Sequence, residues 1–515
     1  MLNKIKNATY SIYNTNKKIL FISAFLIIIF LSLFPRSIEV LNQNPIFGFD
    51  QGRDYLAAKS IVEDKKLTLI GAEIGSGSAA IHGIFQGPFY YYLLAIAYLF
   101  SNGNPNTPVL FMLILSLITI AFSFYFGKKL FGIYGGLITA LLVAVSPSLI
   151  TQARFAWAPY PESIFILLSF YFSYYFYQRN KIKIFLAAFS AGFVYNFEFA
   201  VAVPLCLGLL VYAIYIFRRN IVYYSVLLLG FFVAFSPMIL FDIRHGFMGI
   251  RGFIEYLMSD KSNIVSFYPS TQALILDHWS SFLYNVSNTF PQGGFLSPAI
   301  ILGFLLIFSV YLLRREKNHN LKTFITFLIL LFPINFLVFY FLKNTVWGYY
   351  LTDLNFVYIF IFSYLLFASF ENKSYKVFIV VGIFILLLIF FGTINAVKTS
   401  LYDYSDYGGT AKLKGKIDAI DYIYKDAKGK PFGVLAFSPP VYTYPYDYLF
   451  LWYGNKKYNY IPYSEKKGTF YLLIEKDPYK PWSYNGWLET VIKSGKIIYT
   501  KTLPSGFIVQ KRVEK

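Results

Sequence analysis

The sequence predicts a mainly α-helical membrane protein with about eleven membrane-spanning helices, followed by a small α/β domain. Of its 515 residues, 57% are hydrophobic and only 14% are charged, which is more apolar surface than a water-soluble protein of this size can bury. The hydrophobic residues gather in repeated runs of roughly 17–25 residues, the length that crosses a bilayer. After about residue 396, charged residues, turns and short alternating stretches replace these runs.

Eleven apolar runs can be threaded as membrane crossings. They lie at 19–34, 108–126, 133–150, 161–177, 184–198, 199–217, 221–241, 296–313, 322–341, 351–370 and 377–395. The first run is followed by Pro35 and Arg36 and by no small-residue cleavage site. We therefore expect it to remain as a membrane anchor rather than to be removed as a signal peptide.

The orientation of the chain follows from the short basic loops between these runs. Clusters of Lys and Arg lie at 17–18, 128–129, 178–183, 218–219, 314–320 and 371–376. If each run crosses once, every cluster falls on one side, and the positive-inside rule makes that side cytoplasmic. The protein is then a multi-pass protein of the cell membrane. Its N-terminus is cytoplasmic, and its C-terminal domain is extracytoplasmic. This topology accounts for the net charge of +20, so we expect membrane lipids and no nucleic acid as partners.

The segment "GPFYYYLLAIAYLF" at 87–100 is predicted to be an interfacial helix and not a crossing. It is short and rich in tyrosine, a residue favoured at the membrane surface, and a crossing here would place the later basic loops outside. Residues 35–107 then form the first external loop. The predicted transmembrane domain covers 1–395 and the external α/β domain covers 396–515.

The predicted C-terminal domain contains one helix and four strands. Residues 412–427 carry apolar side chains at helical spacing, whereas four short runs rich in β-branched and aromatic residues are typical of strands. These runs lie at 432–437, 469–475, 496–502 and 506–511.

Five predicted external loops carry ionisable and aromatic side chains, which near membrane depth are costly and usually functional. They are Asp50, Arg53, Asp54 and His82 in the first loop, Arg154, Trp157 and Glu162 in the second, Glu198 in the third, Arg244 and His245 in the fourth, and Trp347 and Tyr350 in the fifth. Other interpretations remain open. Asp50 can cap a helix beginning at Gln51, Arg53 and Arg154 can bind lipid headgroups or form salt bridges, and His245 can be a capping residue.

This set of side chains fits transfer of a sugar from a lipid phosphate. Arginine supplies forked donors for the phosphate and stabilises the charge that grows on it as it leaves. A carboxylate within reach of the acceptor hydroxyl takes its proton. We find no phosphate-binding Gly loop, no HExxH motif and no Cys/His metal spacing, and Cys206 is the single cysteine. The sequence therefore predicts no cofactor and leaves a divalent metal open.

The layout resembles the GT-C superfamily of membrane glycosyltransferases, in particular the branch with protein O-mannosyltransferases and lipid A aminoarabinose transferases. In "DQGRDY" the chain has the family's Asp and Arg at Asp50 and Arg53, with Gln51 where Glu is usual. The stretch "FQGPFYYYLLA" matches the Pro and aromatics of the family but lacks its Lys. "SPSLITQARFAWAPYPES" supplies the Arg and the acid as Arg154 and Glu162, and "SPMILFDIRHGF" and "WGYY" are similar to loops of bacterial members.

The resemblance implies a role for each candidate residue. Asp50 is the expected catalytic base, with Glu162 as a second catalytic acid, and Arg53, Arg154, Arg244 and His245 are expected to bind the donor phosphate. The residues expected to bind or orient substrate are Asp54, His82, Glu198, Trp157, Trp347 and Tyr350.

The implied reaction is an inverting single displacement from a polyprenyl-phosphate-sugar donor to a hydroxyl of a lipid, glycan or protein. The main alternative is a transporter or flippase of lipid-linked sugars, which usually binds its substrate near the bilayer midplane between repeated halves. We find no internal repeat. A non-catalytic binding or scaffold protein is the third interpretation.

Overall fold

The structure is a computed structural model that describes residues 2–74, 83–258, 268, 270–290, 297–342, 345–371, 375–439 and 442–514. The part up to Ser405 is built from helices. In chain order they are α1 (Leu2–Asn42), α2 (Phe49–Val62), α3 (Phe89–Ser101), α4 (Asn106–Val145), α5 (Pro147–Thr151), α6 (Glu162–Ser173), α7 (Lys181–Phe193), α8 (Phe199–Phe217), α9 (Ile221–Arg244), α10 (Met248–Met258), α11 (Thr271–Thr289), α12 (Pro298–Leu313), α13 (His319–Leu342), α14 (Thr352–Glu371) and α15 (Tyr375–Ser405).

Each of the eleven predicted apolar runs overlaps one of these helices, so the prediction of a mainly helical, multi-pass membrane protein is confirmed. In the described ranges, seven helices are long and apolar enough to cross a membrane, and α3, α6 and α12 are apolar but shorter. The total of eleven crossings stays a prediction.

Helix α1 continues past the predicted end at residue 34, through Pro35, because its next turn is anchored. The buried Arg36 guanidinium donates to the carbonyl oxygens of Val143 (2.9 Å) and Ala144 (2.6 Å) and to the Ser116 hydroxyl (2.9 Å). Carbonyls in the last turn of a helix lack intrahelical partners and carry partial negative charge. Arg36 therefore satisfies the end of α4 and fixes α1 against it.

Helix α4 contains two of the predicted runs, separated by a sharp change of direction at Gly132. This residue has φ 73° and ψ −177°, a backbone conformation that glycine adopts without steric cost. Lys128 and Lys129 lie just before this point. The predicted topology places this basic pair in the loop between two crossings.

Helix α3 corresponds to the segment predicted to lie at the membrane interface. Its 13 residues span roughly 20 Å at 1.5 Å per residue, less than the roughly 30 Å of a hydrocarbon core. Tyr90, Tyr91 and Leu94 are buried in a core that α3 shares with α2 and the C-terminal domain. The length and the packing support the interfacial assignment.

Helices α10 and α11 are not among the predicted elements. Phe282 and Val286 of α11 are fully buried, and the helix packs against α12 and α14. The same helix carries Asp277, His278 and Asn285, so a search for continuous apolar runs does not detect it.

The C-terminal domain forms one four-stranded sheet in the order β1-β2-β4-β3, with β1 and β2 parallel and the other pairs antiparallel. Its elements are α16 (Leu413–Ala427), β1 (Gly433–Phe437), α17 (Tyr444–Leu449), α18 (Asn455–Tyr458), β2 (Thr469–Ile474), α19 (Ser483–Trp487), β3 (Lys496–Thr502) and β4 (Ile508–Val513). The predicted helix and all four predicted strands are present, which confirms a small α/β domain. The boundary at residue 395 stays a prediction, since α15 runs on to Ser405.

The C-terminal domain packs closely on α2. A Cβ at Gly52 would lie 2.3 Å from the backbone nitrogen of Pro445, so only glycine permits this approach. The Tyr448 ring packs edge-on against Tyr55 at 5.4 Å, and Trp452 donates to the Asn102 carbonyl at 3.0 Å. The domain therefore holds α2 against the start of the membrane helices.

We predict that the C-terminal domain is extracytoplasmic. In a Cys206→Ala background, cysteine can be placed at Ser405, at the end of α15, and at Lys317, between α12 and α13, because both side chains are exposed. An impermeant thiol reagent should label position 405 in intact cells and position 317 only after permeabilisation. The opposite pattern would invert the topology and place the candidate site inside the cell.

Candidate functional site

Asp50 lies inside the first turn of α2 and does not cap it. The helix begins at Phe49, and Gln51 fills the capping role: its side-chain oxygen accepts from the Gly48 amide at 2.9 Å. The Gln51 amide also donates to the Ala156 carbonyl at 3.0 Å. The interpretation of Asp50 as a helix cap is therefore wrong, and its carboxylate is available for other contacts.

Arg53 lies between two carboxylates on α2. Its NH1 is 3.1 Å from Asp50 Oδ1, one helical turn away, and its Nε donates to Asp54 Oδ1 at 2.7 Å. The Asp54 side chain is 2% exposed, whereas that of Asp50 is 35% exposed. The buried acid orients the guanidinium, and the exposed acid is the one that a ligand can reach.

Burial raises the pKa of Asp54 from 3.8 to about 6, although the adjacent Arg53 cation acts in the opposite direction. Desolvation also acts to lower the pKa of Arg53, but attraction to Asp54 and Asp50 outweighs it and leaves that pKa above its ordinary value. Arg53 thus stays charged at any physiological pH, while Asp54 can titrate near pH 6.

The loop between α5 and α6 lies against Asp50. Trp157 Nε1 donates to Asp50 Oδ2 at 3.0 Å, and the Trp157 ring packs edge-on against Tyr349 at 4.5 Å. Asp50 therefore has one polar partner on each oxygen, an ion pair with Arg53 on Oδ1 and a hydrogen bond from Trp157 on Oδ2. Two donors from different segments fix the orientation of this carboxylate.

Arg154, on the same loop, is held by two acids from distant helices. Its Nε and NH2 bind the Glu39 carboxylate at 2.8 and 2.5 Å, and its NH1 binds Asp403 at 2.7 Å. Burial acts against the charge of Arg154, but these acids still leave its pKa above the ordinary value. Its contacts tie the ends of α1 and α15 to the loop, and its predicted role in phosphate binding stays a prediction.

Tyr349 and Tyr350 connect the site to a group of buried acids. Tyr349 interacts electrostatically with both Asp50 and Glu198, and Tyr350, which packs edge-on against Tyr349 at 4.6 Å, also interacts with Glu198. Glu198 accepts from the Ala200 amide at 3.1 Å and caps α8.

Glu162 is less accessible than Asp50. It opens α6, is fully buried and interacts electrostatically with Glu198. A substrate reaches Glu162 only if the surrounding side chains move, so its catalytic role stays a prediction.

The remaining predicted residues are more peripheral. Arg244 and His245 are exposed at the end of α9, where His245 Nδ1 lies 2.8 Å from the Phe241 carbonyl oxygen. Trp347 is 58% exposed. His82 lies outside the described residues.

An apolar cavity of about 450 Å³ lies between α9, α10 and the start of α8, and Ile243, the residue before Arg244, is part of its lining. Its lining includes the aromatic residues Tyr195, Phe199, Phe235, Phe241, Phe247 and Phe253. A cavity with this lining suits an apolar chain. The lining also includes Asp242, whose carboxylate accepts from the Gly249 amide at 2.6 Å.

Comparison with solved structures identifies the architecture. The crystal structure of ArnT from Cupriavidus metallidurans bound to undecaprenyl phosphate has a TM-score of 0.54 at 12% sequence identity, over 97% of this chain and 99% of ArnT. Its apo form gives 0.56 at 11% identity, over 97% and 98% of the two chains. The Archaeoglobus fulgidus oligosaccharyltransferase, in complex with Zn and sulfate, gives 0.51 at 13% identity, over 95% of this chain and 72% of that one.

The chain has a GT-C fold. The resemblance drawn from the sequence is thus confirmed at the level of the fold, and the similarity to ArnT extends through the C-terminal domain. The sequence itself matches no protein-family model, and the comparison with curated proteins found no match.

Within the GT-C fold, the arrangement around α2 suits proton transfer next to an anion. Asp50 is accessible and oriented, so it can accept a proton from a bound hydroxyl. Arg53 contacts Asp50, Asp54 and the Tyr91 hydroxyl, and its side chain is 21% exposed, so part of the guanidinium can meet a ligand. Among the described residues, no group of three His, Cys, Asp or Glu side chains is suited to hold a metal ion.

Three residues that contact the candidate site were not predicted from the sequence: Glu39, Asp403 and Tyr349. The first two pair with Arg154, and the third packs against Trp157 and interacts electrostatically with Asp50 and Glu198. The sequence does contain one signal of such pairing. The stretch "PRSIEV" places a base and an acid one helical turn apart at the end of an apolar run. Charged residues in that position need buried partners.

We predict that Asp54 gives the protein a pH-dependent stability. Because its folded-state pKa is raised from 3.8 to about 6, its contribution is fully present below about pH 4 and is lost as pH rises through about 6. A shift of this size corresponds to about 3 kcal/mol. The difference in melting temperature between the wild type and Asp54→Asn, measured in detergent, should therefore change between pH 4 and 6 and stay constant above about pH 7.

The matched control is Asp64→Asn, because Asp64 is exposed near the end of the same helix. A wild-type to Asp54→Asn difference that does not vary with pH would show that Asp54 titrates at its ordinary value.

Proposed function

We propose that the protein is an integral membrane glycosyltransferase that moves a sugar from a polyprenyl-phosphate donor to an extracytoplasmic hydroxyl. The observation that carries this proposal is the accessible Asp50 carboxylate, oriented by Arg53 and Trp157 within a fold shared with ArnT. The ArnT structure contains undecaprenyl phosphate, which supports a polyprenyl-linked donor here.

In the proposed reaction, the acceptor hydroxyl gives its proton to Asp50 as its oxygen attacks the anomeric carbon. The bond from that carbon to the phosphate oxygen breaks on the opposite face, and the lipid phosphate leaves with the electron pair. This single displacement inverts the anomeric centre. Asp50 then returns its proton to solvent.

The leaving phosphate needs a cation that stabilises its negative charge. The three candidate arginines differ in how far their own charge is already paired with acids. Arg53 and Arg154 each face two carboxylates, so each cluster is net negative when both acids are ionised. Arg244 is exposed, and it has no ion pair among the described residues. Arg244 follows Asp242 and Ile243, which line the apolar cavity, and this supports a donor whose lipid chain occupies the cavity and whose phosphate lies toward Arg244.

The alternative of a transporter or flippase predicts movement of the donor without chemistry. The oriented carboxylate at the predicted outer end of the helices favours transfer, since transporters usually bind near the bilayer midplane. Appearance of the donor in the opposite leaflet of vesicles, with no released lipid phosphate, would support the transporter.

We predict that Asp50→Asn abolishes transfer and leaves the fold intact. Asn keeps the size and one acceptor oxygen but cannot take the proton, and loss of a general base costs roughly 10²- to 10⁴-fold in rate. The measurement is release of polyprenyl phosphate from a polyprenyl-phosphate-sugar by purified protein. Asp64→Asn, just beyond the end of the same helix, is the matched control, and near-normal turnover by Asp50→Asn would remove Asp50 as the base.

We predict that Arg53→Ala and Arg244→Ala each weaken donor binding or turnover by roughly 10- to 150-fold. This range corresponds to the about 1.5–3 kcal/mol of a charge-assisted contact to phosphate. The Lys variants should recover only part of the loss, because Lys keeps the charge and loses the fork. Arg218→Ala, at the predicted cytoplasmic end of α8, is the control.

Arg154→Ala separates two roles in the same experiment. If Arg154 is mainly structural, the variant melts at a lower temperature, because Glu39 and Asp403 lose their partner, and Arg154→Lys restores part of the stability. A loss of donor affinity at unchanged melting temperature would instead support the predicted phosphate contact. Wild-type affinity and rate in all three alanine variants would place the phosphate elsewhere.

A further inference from the structure

The C-terminal domain contributes two tyrosine rings beside α2, of which Tyr442 is exposed and Tyr444 is half-buried. The residues just before and at the start of α17 bring Tyr442 and Tyr444 onto Phe49 of α2. The ring centroids of Phe49 lie 5.6 Å from Tyr442 and 5.3 Å from Tyr444, and the two tyrosine rings are stacked at 5.5 Å with an interplanar angle of 7°. These three rings are called the aromatic platform below.

The platform is continuous with the catalytic residues of the proposed reaction. The Arg53 guanidinium lies over the Phe49 ring at 5.5 Å and reaches Asp50 at 3.1 Å. Tyr442, Phe49, Arg53 and Asp50 therefore form an unbroken row of side chains. The Arg53 guanidinium lies between the platform and Asp50, so a ligand that covers the platform and reaches past Arg53 meets the group that is proposed to take its proton.

The platform is solvent-accessible and has a polar edge. Tyr442 is 56% exposed, although burying a large aromatic ring is favourable. Thr443 Oγ1 donates to the Asp447 carboxylate at 2.9 Å, and Asp447 is exposed on α17. Flat rings beside a carboxylate match the two surfaces of a sugar ring, which has an apolar face of C–H groups and hydroxyls around its edge.

We propose that the aromatic platform binds a sugar ring of the acceptor, so that the acceptor is a carbohydrate and the C-terminal domain forms part of its site. This inference rests on the proposed function, which makes Asp50 the base that receives the acceptor proton. The platform is assigned to the acceptor and not to the donor because it belongs to the C-terminal domain. The apolar cavity that suits a lipid donor lies between α8, α9 and α10.

The close contact at Gly52 sets the position of the platform. Because the Pro445 and Tyr444 backbones pack directly on Gly52, Tyr444 cannot shift relative to α2 without opening this contact. The site is thus assembled from two segments that are far apart in the chain, and neither segment forms it alone.

The test measures the binding of simple sugars to the protein, without any transfer reaction. Full-length protein in nanodiscs free of glycolipid and of glycosidic detergent is mixed with the methyl glycosides of glucose, galactose and mannose, and saturation-transfer NMR reports the sugar protons that contact the protein. At least one glycoside should bind the wild type. Tyr442→Ala should bind it roughly 2- to 12-fold more weakly, the range expected from an aromatic contact of about 0.5–1.5 kcal/mol, and Tyr442→Phe should bind it normally.

Two controls separate the platform from general effects. Tyr479→Ala removes a tyrosine that is 90% exposed on the same domain and should change nothing. Asp50→Asn should keep glycoside binding while it loses transfer. The proposal is overturned if no glycoside binds the wild type, if Tyr442→Ala binds as well as the wild type, or if Tyr442→Phe loses as much as Tyr442→Ala.

Failure of the proposed function would give a different result. If the wild type binds a glycoside through Tyr442 but releases no lipid phosphate from any donor, the transferase proposal fails and the sugar site remains. If the wild type transfers sugar but Tyr442→Ala leaves both glycoside binding and the KM for the acceptor unchanged, the platform proposal fails and the transferase remains.

Discussion

The ion pair of Arg154 with Glu39 and Asp403 is the contact on which the candidate site depends. It joins the end of α1, the loop before α6 and the end of α15, three segments that are far apart in sequence. Taking these charges out of water is costly, so the arrangement is stable only while all three partners are present. The loop that it holds carries Trp157, which donates to Asp50.

Two further sets of contacts hold helix α2 in place, one on each side. The loop before α6 accepts from Gln51 through the Ala156 carbonyl, and the C-terminal domain packs on Gly52 and Tyr55. A short polar helix of 14 residues has little stability of its own. These contacts fix it, so that Asp50 and Arg53 are positioned before any ligand arrives, which is what efficient proton transfer requires.

The same constraint explains the unusual glutamine of this chain. Where the family resemblance leads one to expect Glu after Asp50, Gln51 both accepts from the Gly48 amide and donates to the Ala156 carbonyl. A carboxylate has no N–H to donate. Gln51 therefore adds a link to the loop and avoids a third negative charge next to Asp50 and Asp54.

The sequence by itself determined the class of the fold and most of its elements, although not helices α10 and α11. Apolar runs and the composition change near residue 396 were sufficient for the helical membrane part and the small sheet, because burial in lipid or in a core imposes patterns within a single segment. The motif around Asp50 and Arg53 also led to the correct fold. The tertiary structure alone decided the partners: Glu39 and Asp403 on Arg154, Trp157 on Asp50, and Tyr442 beside Phe49. These pairs join distant segments, and an ion pair or ring contact between two segments leaves no periodic signal in either one.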